Sequence, residues 1–190
     1  MPDIAVILLA AGHSRRFGAT NKLLADFKGK PLISAITQTL TTLPFRSRIA
    51  AIGADIDREL LQGFETVELV DEVSLQSDSL KLAMEAALQQ GPHAILICLA
   101  DVPLVPIVHF EQIIAKWSGN TTLVATRAPG RLMPPALFGA DWFPDLLALV
   151  GDQGARDLIR QATETVSLED RYAIDVDTIN DLEQLRREQI

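Results

Sequence analysis

The chain has 190 residues, of which 48% are apolar and 22% charged, and its formal net charge is −8. This length fits one domain of ordinary size, so we expect residues 1–190 to fold as a single domain. The acidic balance excludes a general nucleic-acid binder and a protein of anionic membrane surfaces, because both need a basic field. No apolar run reaches the ~20 residues that span a bilayer, and Asp3 stands where a secretory signal would be basic, so we expect a cytoplasmic protein.

Short apolar runs rich in β-branched residues alternate with segments of helical periodicity as far as residue 126. The runs predict strands at residues 4–9, 48–52, 66–70, 94–99 and 121–126. The periodic segments predict helices at residues 33–43, 56–63, 79–90 and 107–117. This alternation is typical of an α/β fold with a mostly parallel sheet, whose ligands bind at the carboxyl ends of the strands.

The pattern is less regular after residue 128. Residues 128–135 predict a turn-rich loop and residues 136–138 a short edge strand. Helical stretches are predicted near 144–150 and 155–162, then a short strand at 172–177 and a C-terminal helix at 180–188 with Thr178 as N-cap. Cys98 lies inside a predicted strand, where we expect a small buried apolar side chain.

The first predicted strand ends in a loop that could bind phosphate groups. The residues in it that could face an anion are Gly12, Ser14, Arg15, Arg16, Gly18 and Lys22. Glycines let backbone N–H groups approach an anion, while arginine and lysine add positive charge. The glycine spacing excludes a Walker A loop, and the third glycine of a dinucleotide fingerprint is missing. The loop therefore predicts a site for a nucleoside triphosphate.

Three aspartates, in two parts of the sequence, could hold a divalent cation at the same edge of the sheet. Asp101 follows the buried run 94–99, and carboxylates are the ligands that hard cations prefer. Asp175 and Asp177 are two residues apart on a predicted strand, so they would share a face and approach Asp101 if the strands are neighbours. Two other interpretations stay open: Asp101 begins a turn, or the late aspartates only cap the last helix.

The turn at residues 151–156 is a further candidate anion site. Two glycines flank it, and Arg156 begins the helix predicted to follow, whose N-terminus could face an anion. A simple helix–helix turn is equally well supported by the spacing. The three histidines show no paired ligand spacing, so no zinc site is expected.

With these motifs identified, the sequence resembles the MobA-like nucleotidyltransferases, and within them the molybdenum cofactor cytidylyltransferase branch. Residues 9–18 with 21–24 are similar to the nucleotide-binding signature of that branch, and residues 101–104 to its Asp-x-Pro metal motif. Residues 143 and 149–156, followed by 175–182, resemble its C-terminal signatures in the same order.

The resemblance implies a three-layer αβα, Rossmann-like fold of the GT-A-like nucleotide-diphospho-sugar transferase type. It implies transfer of a nucleoside monophosphate from a nucleoside triphosphate to a phosphorylated acceptor, with Mg²⁺, or Mn²⁺ as the alternative, and release of pyrophosphate. Ala11 stands where GTP-using members tend to carry a second glycine, which favours CTP. Molybdopterin is the implied acceptor, and a molybdoenzyme or a cofactor-biosynthesis protein is the implied macromolecular partner.

The resemblance also implies roles for single residues. Arg15, Lys22 and Asp101 would be catalytic, and Asp101 would hold the metal together with Asp175 or Asp177. The implied nucleotide- and acceptor-binding residues are Ala10, Ala11, Gly12, Ser14, Arg16, Gly18, Ser79 and Arg156.

Two segments depart from the pattern of that branch. Residues 75–80 keep Ser79 and Leu80 but lack the glycine that leads the serine-rich loop, and residues 132–138 lack a glycine and a histidine beside the acceptor. Two alternatives therefore stay open: a nucleotidyltransferase acting on a sugar phosphate or another small phosphate, and a non-catalytic nucleotide-binding chaperone for cofactor maturation.

Overall fold

The computed structural model describes residues 3–12, 17, 21–69, 75–151 and 154–188. The strands in these ranges are β1 (Ile4–Ala10), β2 (Asp26–Phe27), β3 (Lys30–Pro31), β4 (Ser47–Gly53), β5 (Glu65–Leu69), β6 (Ala94–Leu99), β7 (Leu123–Ala128), β8 (Arg131–Gly139) and β9 (Glu164–Ser167). The α-helices are α1 (Ile33–Thr42), α2 (Gln76–Leu88), α3 (Ile107–Ala115), α4 (Phe143–Ala148), α5 (Arg156–Ile159) and α6 (Ile179–Glu188). No helix in these ranges is long and apolar enough to cross a membrane.

The described strands form a seven-stranded sheet in the order β5-β4-β1-β6-β8-β7-β9 and a separate hairpin of β2 and β3. β1 pairs in parallel with β4 and β6, and β5 extends this half of the sheet in parallel with β4. β8 is antiparallel to both of its neighbours, and β9 runs parallel to β7 at the far edge. The predicted α/β fold with a mostly parallel sheet is therefore confirmed.

Helices cover both faces of the sheet. The side chains of a strand alternate between the two faces, and in the central strands both sets are apolar and must be buried. In β1, Val6 and Leu8 pack in one core with α1 and α3, whereas Ala5 and Ile7 pack in a second core with α2, α4 and α5. This is the predicted three-layer arrangement. Cys98 is buried in the first core, and burial raises the pKa of its thiol, so it is the apolar side chain that the sequence predicts.

A third, smaller core joins α6 to the β2–β3 hairpin. Its buried side chains are Phe17, Phe27, Leu32, Val176, Leu182 and Leu185. Thr178 Oγ1 accepts a hydrogen bond from Asp181 N at 3.2 Å, so Thr178 caps α6 as predicted. This packing holds residues 173–177, the segment before α6, beside the first part of the chain.

The prediction of a loop at 128–135 and an edge strand at 136–138 is wrong. β8 begins at Arg131 and lies inside the sheet, between β6 and β7. Two consecutive prolines in this segment indicate a loop or an edge because proline cannot donate to a ladder. The structure places Pro134 and Pro135 in a bulge, since the pairing with β7 passes from Met133 directly to Ala136.

Other predicted elements differ in type. Residues 56–63 form a turn of 3₁₀ helix at Arg58–Leu61. The strand predicted at 172–177 is absent, since Tyr172 ends a 3₁₀ turn that begins at Asp170 and residues 173–177 form no strand. The apolar pattern of these two segments comes from single side chains that are buried in a core, such as Leu61 and Val176, and not from a regular helix or strand. β9 was not predicted, because Val166 is the one buried residue of its four.

The remaining predicted elements are confirmed with small shifts at their ends. They correspond to β1, β4, β5, β6, α1, α2, α3 and α6, while β7 begins two residues later than predicted. The helical stretches predicted near 144–150 and 155–162 are the short helices α4 and α5. Val70, predicted to end a strand, lies outside the described residues.

Candidate functional site

The carboxyl ends of β1 and β6 lie side by side and define the edge where the site is built. Leu9 and Leu99 are register partners at the last step of this parallel pair. Beyond it, Ala100 N donates to Leu9 O at 3.0 Å. The segment Ala10 to Gly12 and the Asp101 carboxylate therefore leave the sheet at the same edge, as the sequence predicts.

Lys22 joins the first loop to two carboxylates that are distant in sequence. Its Nζ lies 2.7 Å from Asp101 Oδ2 and 2.8 Å from Asp177 Oδ1. The side chain of Asn21 accepts a hydrogen bond from Leu23 N at 2.9 Å, and this cap begins the 3₁₀ turn Lys22–Leu24 that directs Lys22 inward. Lys22 is 8% exposed, so its ammonium is largely shielded from water.

The electrostatics of Lys22 favour its charged form. Burial works to lower the pKa of Lys22, because a charged group loses hydration in the interior. The charges of Asp101 and Asp177 and their hydrogen bonds outweigh this effect and raise the pKa of the ammonium. Lys22 is therefore a fixed positive charge at this edge of the sheet.

The Asp101 carboxylate has an oxygen available for a cation. Asp101 Oδ1 is buried and has no hydrogen-bond partner among the described residues, which is a costly arrangement for a carboxylate oxygen. Asp101 and Asp177 together fit Mg²⁺, which proteins often bind through one or two carboxylates plus substrate phosphates and water. Within the described ranges no group of three or more His, Cys, Asp or Glu side chains is arranged to hold a metal ion.

Asp175 has a different cation as its partner. Arg131, at the start of β8, places Nη1 2.8 Å from Asp175 Oδ2 and donates from Nη2 to Ala173 O at 2.7 Å. Burial raises the pKa of Asp175, and the charges of Asp101 and Asp177 act in the same direction, whereas Arg131 opposes them. The predicted common strand face is absent, and each carboxylate pairs with a different cation, Asp175 with Arg131 and Asp177 with Lys22.

The segment that carries the late aspartates is tied directly to the strand end. Val176 N donates to Asp101 O at 2.9 Å, and the Val176 side chain is fully buried in the third core. The two flanking carboxylates consequently face the edge of the sheet although residues 173–177 form no strand. This contact brings the three predicted metal-binding residues into one neighbourhood.

A cleft of about 650 Å³ extends from Asp101 towards α5. Its apolar floor includes Leu9, Ile97, Leu99, Leu132 and Met133. Its charged side chains are three aspartates and three arginines: Asp101, Asp175, Asp177, Arg131, Arg156 and Arg160. An anion could therefore be bound locally by a protein whose net charge is −8.

The start of α2 forms another wall of this cleft. Gln76 lines the cleft, and Ser77 N donates to Gly151 O at 3.2 Å, which joins α2 to the turn before α5. Gly154 has φ +52°, and a methyl group there would lie 2.7 Å from Gln76 Oε1. Glycine at 154 thus permits both the left-handed backbone and the close approach of Gln76.

The predicted site residues are distributed unevenly over the described structure. Ser14, Arg15, Arg16 and Gly18 lie outside the described residues. Lys22, Asp101, Asp175, Asp177 and Arg156 lie at the edge or in the cleft, and Ala10, Ala11 and Gly12 lead out of β1. Ser79 is buried in α2 and is absent from the described lining of the cleft.

Sequence reasoning missed Arg131, Arg160 and Gln76 as cleft residues. Arg131 falls in a segment that was predicted to be a loop, and its pairing with Asp175 depends on tertiary structure. Arg160 lies one helical turn after Arg156, and that spacing places two residues on the same face of a helix. The i, i+4 spacing of these two arginines was the one available signal.

Comparison with known proteins identifies similar chains. The family model described as "MobA-like NTP transferase domain" matches residues 6–166. The purine catabolism protein PucB of Bacillus subtilis is 26% identical, over 98% of this chain and 97% of its own length. Nicotine blue oxidoreductase of Paenarthrobacter nicotinovorans is 25% identical, over 97% of each chain.

A solved structure shows the same fold over nearly the whole length. It is the crystal structure of an Rv0371c homologue from Mycobacterium sp. strain JC1, with a TM-score of 0.83 and 26% sequence identity. The superposition covers 98% of this chain and 96% of that one. The likeness therefore includes the sheet edge that carries the site.

Proposed function

The chain belongs to the family of MobA-like NTP transferase domains and is a nucleotidyltransferase, and from this premise we propose that it transfers CMP from CTP to a phosphorylated acceptor. The acceptor we propose is molybdopterin or the molybdenum cofactor, and the second product is pyrophosphate. We place this reaction in the cytoplasm. The observation that carries the proposal is the Lys22 bridge between Asp101 and Asp177 at the carboxyl edge of the sheet.

We propose Asp101 and Asp177 as the residues that would hold Mg²⁺, with Mn²⁺ as the alternative. Asp101 contributes the buried oxygen without a hydrogen-bond partner, and Asp177 already shares a cation with it. Asp175 is the weaker candidate because Arg131 engages its carboxylate. When bound, the cation neutralises negative charge on the triphosphate and on the leaving pyrophosphate.

The chain's own groups orient the reactants and stabilise charge. An acceptor phosphate oxygen attacks the α-phosphorus of CTP in line, the bond to the β-phosphate oxygen breaks, and pyrophosphate leaves. The proposed roles of Lys22 and Arg15 are to donate to the phosphate oxygens on which negative charge grows. The backbone of Ala11 and Gly12 would contact the base, and Ala11 favours cytosine by resemblance.

The cleft between Asp101 and α5 is the proposed acceptor site. Its apolar floor fits a flat ring system, and Arg156 and Arg160 could bind a phosphate group on that ring. A sugar phosphate is the second candidate acceptor, because the segment after Leu132 departs from the pattern of the cytidylyltransferase branch. The two acceptors differ in ring polarity, so an apolar floor favours the first.

The test is pyrophosphate release from each of the four nucleoside triphosphates, measured with molybdopterin and separately with sugar phosphates. We expect CTP with molybdopterin to give the highest rate. Asp101→Asn should lower that rate at least ~100-fold, because it removes a ligand charge from the centre of phosphoryl transfer. Asp145→Asn, at an exposed position of α4, is the matched control and should leave the rate unchanged.

Two results would contradict the proposal. If Asp101→Asn kept a rate within a few-fold of wild type, the proposed metal role would be wrong. If CTP bound by calorimetry while no acceptor released pyrophosphate, the non-catalytic chaperone would be favoured instead.

A further inference from the structure

Lys22 lies where a bound cation would lie. Its Nζ contacts one oxygen of Asp101 at 2.7 Å and one of Asp177 at 2.8 Å, and these are the two carboxylates that the proposed function assigns to the metal. A divalent ion that bridges the two carboxylates, including one that uses the buried Asp101 Oδ1, would have to share both groups with the ammonium and would lie directly beside it. The two cations therefore repel each other and compete for the same pair of carboxylates.

We propose that Lys22 is the resident counter-ion of the Asp101–Asp177 pair, and that a divalent cation binds there only by displacing it. A nucleoside triphosphate assists this exchange because its phosphates offer Lys22 a new anionic partner. The inference rests on the proposed function, since it takes Asp101 and Asp177 to be the metal ligands.

The geometry explains why Lys22 competes strongly with a metal ion for the two carboxylates. Lys22 is part of the chain, so its ammonium is present at a high effective concentration beside the carboxylates. Its backbone is fixed on both sides, by the Asn21 side chain that bonds Asp55 Oδ2 at 2.9 Å and by the buried side chain of Leu23. The long side chain can still turn about its own bonds, whereas these contacts restrain its backbone.

The exchange couples the two ligands thermodynamically. A metal ion alone must break two charge-assisted hydrogen bonds of Lys22 and move its buried ammonium away from both carboxylates, so its affinity is low. When the triphosphate accepts Lys22, this cost disappears. By linkage the metal then strengthens nucleotide binding by the same factor. Metal and nucleotide are thus bound together rather than separately.

The experiment measures Mn²⁺ binding in the absence of nucleotide by electron paramagnetic resonance. We expect Lys22→Met to bind Mn²⁺ at least ~10-fold more tightly than wild type, because the competing cation is gone. Lys22→Arg keeps the positive charge and should bind as weakly as wild type. Lys116→Met is the matched control, since Lys116 pairs with a single carboxylate, Glu164, at 2.8 Å on the surface, and it should not change the affinity.

A second measurement does not depend on how the variant folds. The measurement is a nuclear magnetic resonance titration of wild-type protein whose lysines carry ¹³C-methyl groups. Mg²⁺ without nucleotide should shift the Lys22 signal until the site is saturated and should leave the Lys116 signal unchanged.

The outcomes separate this inference from the proposed function. If wild type and folded Lys22→Met bind Mn²⁺ with equal affinity, or if Lys22 does not respond at Mg²⁺ saturation, the competition is overturned and the metal site stands. If neither protein binds Mn²⁺, the assignment of Asp101 and Asp177 as ligands is overturned, and the competition with it.

Discussion

At the scale of single residues, the site depends on pairing each carboxylate with a cation from a distant part of the chain. Lys22 and Asp101 are separated by 79 positions, and Lys22 and Asp177 by 155. Arg131 and Asp175 form the second pair. Because each ion pair joins two segments that are distant in sequence, the site forms only when β1, β6, β8 and the segment before α6 are assembled.

His109 is a buried titratable residue outside this site, and it gives a prediction about stability. Its Nε2 lies 2.8 Å from Thr126 Oγ1, and the Thr126 hydroxyl donates to Pro135 O at 2.8 Å. Burial lowers the pKa of His109 to about 4, although a hydrogen bond with the Ser167 backbone acts in the opposite direction. The ring is therefore neutral in the folded protein at neutral pH.

We expect the free energy of unfolding to fall as the pH drops from about 6.5 towards about 4. The folded pKa is below the unfolded one, so the unfolded chain binds the proton more tightly, and the loss is at most about 1.4 kcal/mol per pH unit. Urea unfolding at pH 7, 6 and 5 measures it. His109→Gln should remove this part of the slope, and an unchanged slope in that variant would show that His109 is not its source.

At the scale of elements, the sequence predicts the strands and helices that are buried along their whole length, because their apolar residues then recur at a regular spacing. β1, β4 and β6 are buried on both faces, and α1 and α3 each present one apolar face to a core. Such elements have a local signal that tertiary structure reinforces. β8 and β9 lack this signal, because a bulge interrupts β8 and β9 has a single buried side chain.

The site follows the same rule. Lys22 and Asp101 were predicted because each belongs to a loop directly after a strand, where topology alone indicates a ligand. The cleft residues Arg131 and Gln76 could not be predicted, since their positions depend on β8 lying inside the sheet and on α2 contacting the turn at Gly151. A contact between two elements that are distant in the chain produces no regular spacing of residues that sequence reasoning could recognise.

α6 gives a prediction at this scale. Leu185 is fully buried against the β2–β3 hairpin and the segment that contains Val176. We expect Leu185→Ala to lower the free energy of unfolding by about 2–5 kcal/mol, because it leaves a cavity in a small core. Chemical denaturation measures the change. Ile179→Ala is the control, since Ile179 belongs to the same helix but is 55% exposed, and it should cost well under 1 kcal/mol.

If the two variants lost similar stability, α6 would not depend on this core for its position. A loss confined to Leu185→Ala would instead tie the helix to the segment that carries Asp175 and Asp177, because Val176 packs in the same cluster.

At the scale of the whole molecule, we propose that residues 1–190 unfold as one domain. The two main cores share the same sheet, and α6 returns from the C-terminal part of the chain to the first hairpin. Two tryptophans report on different layers, because Trp117 packs against the core of α1 and α3 and Trp142 against the core of α2 and α4. A single cooperative unit requires both layers to melt together.

The measurement uses Trp117→Phe and Trp142→Phe, each of which leaves one reporter. Trp117→Phe should be the milder change, because Trp117 Nε1 has no hydrogen-bond partner among the described residues, whereas Trp142 Nε1 donates to Thr121 O at 3.0 Å. Within each variant we expect tryptophan fluorescence and far-ultraviolet circular dichroism to give the same urea midpoint.

Mn²⁺ with CTP should raise that midpoint for both reporters, because a ligand bound to the folded state stabilises all of a cooperative unit. A fluorescence midpoint that separates from the dichroism midpoint in either variant would mean that the two layers unfold independently, and the site at their common edge would then not be stabilised as a whole by its ligands.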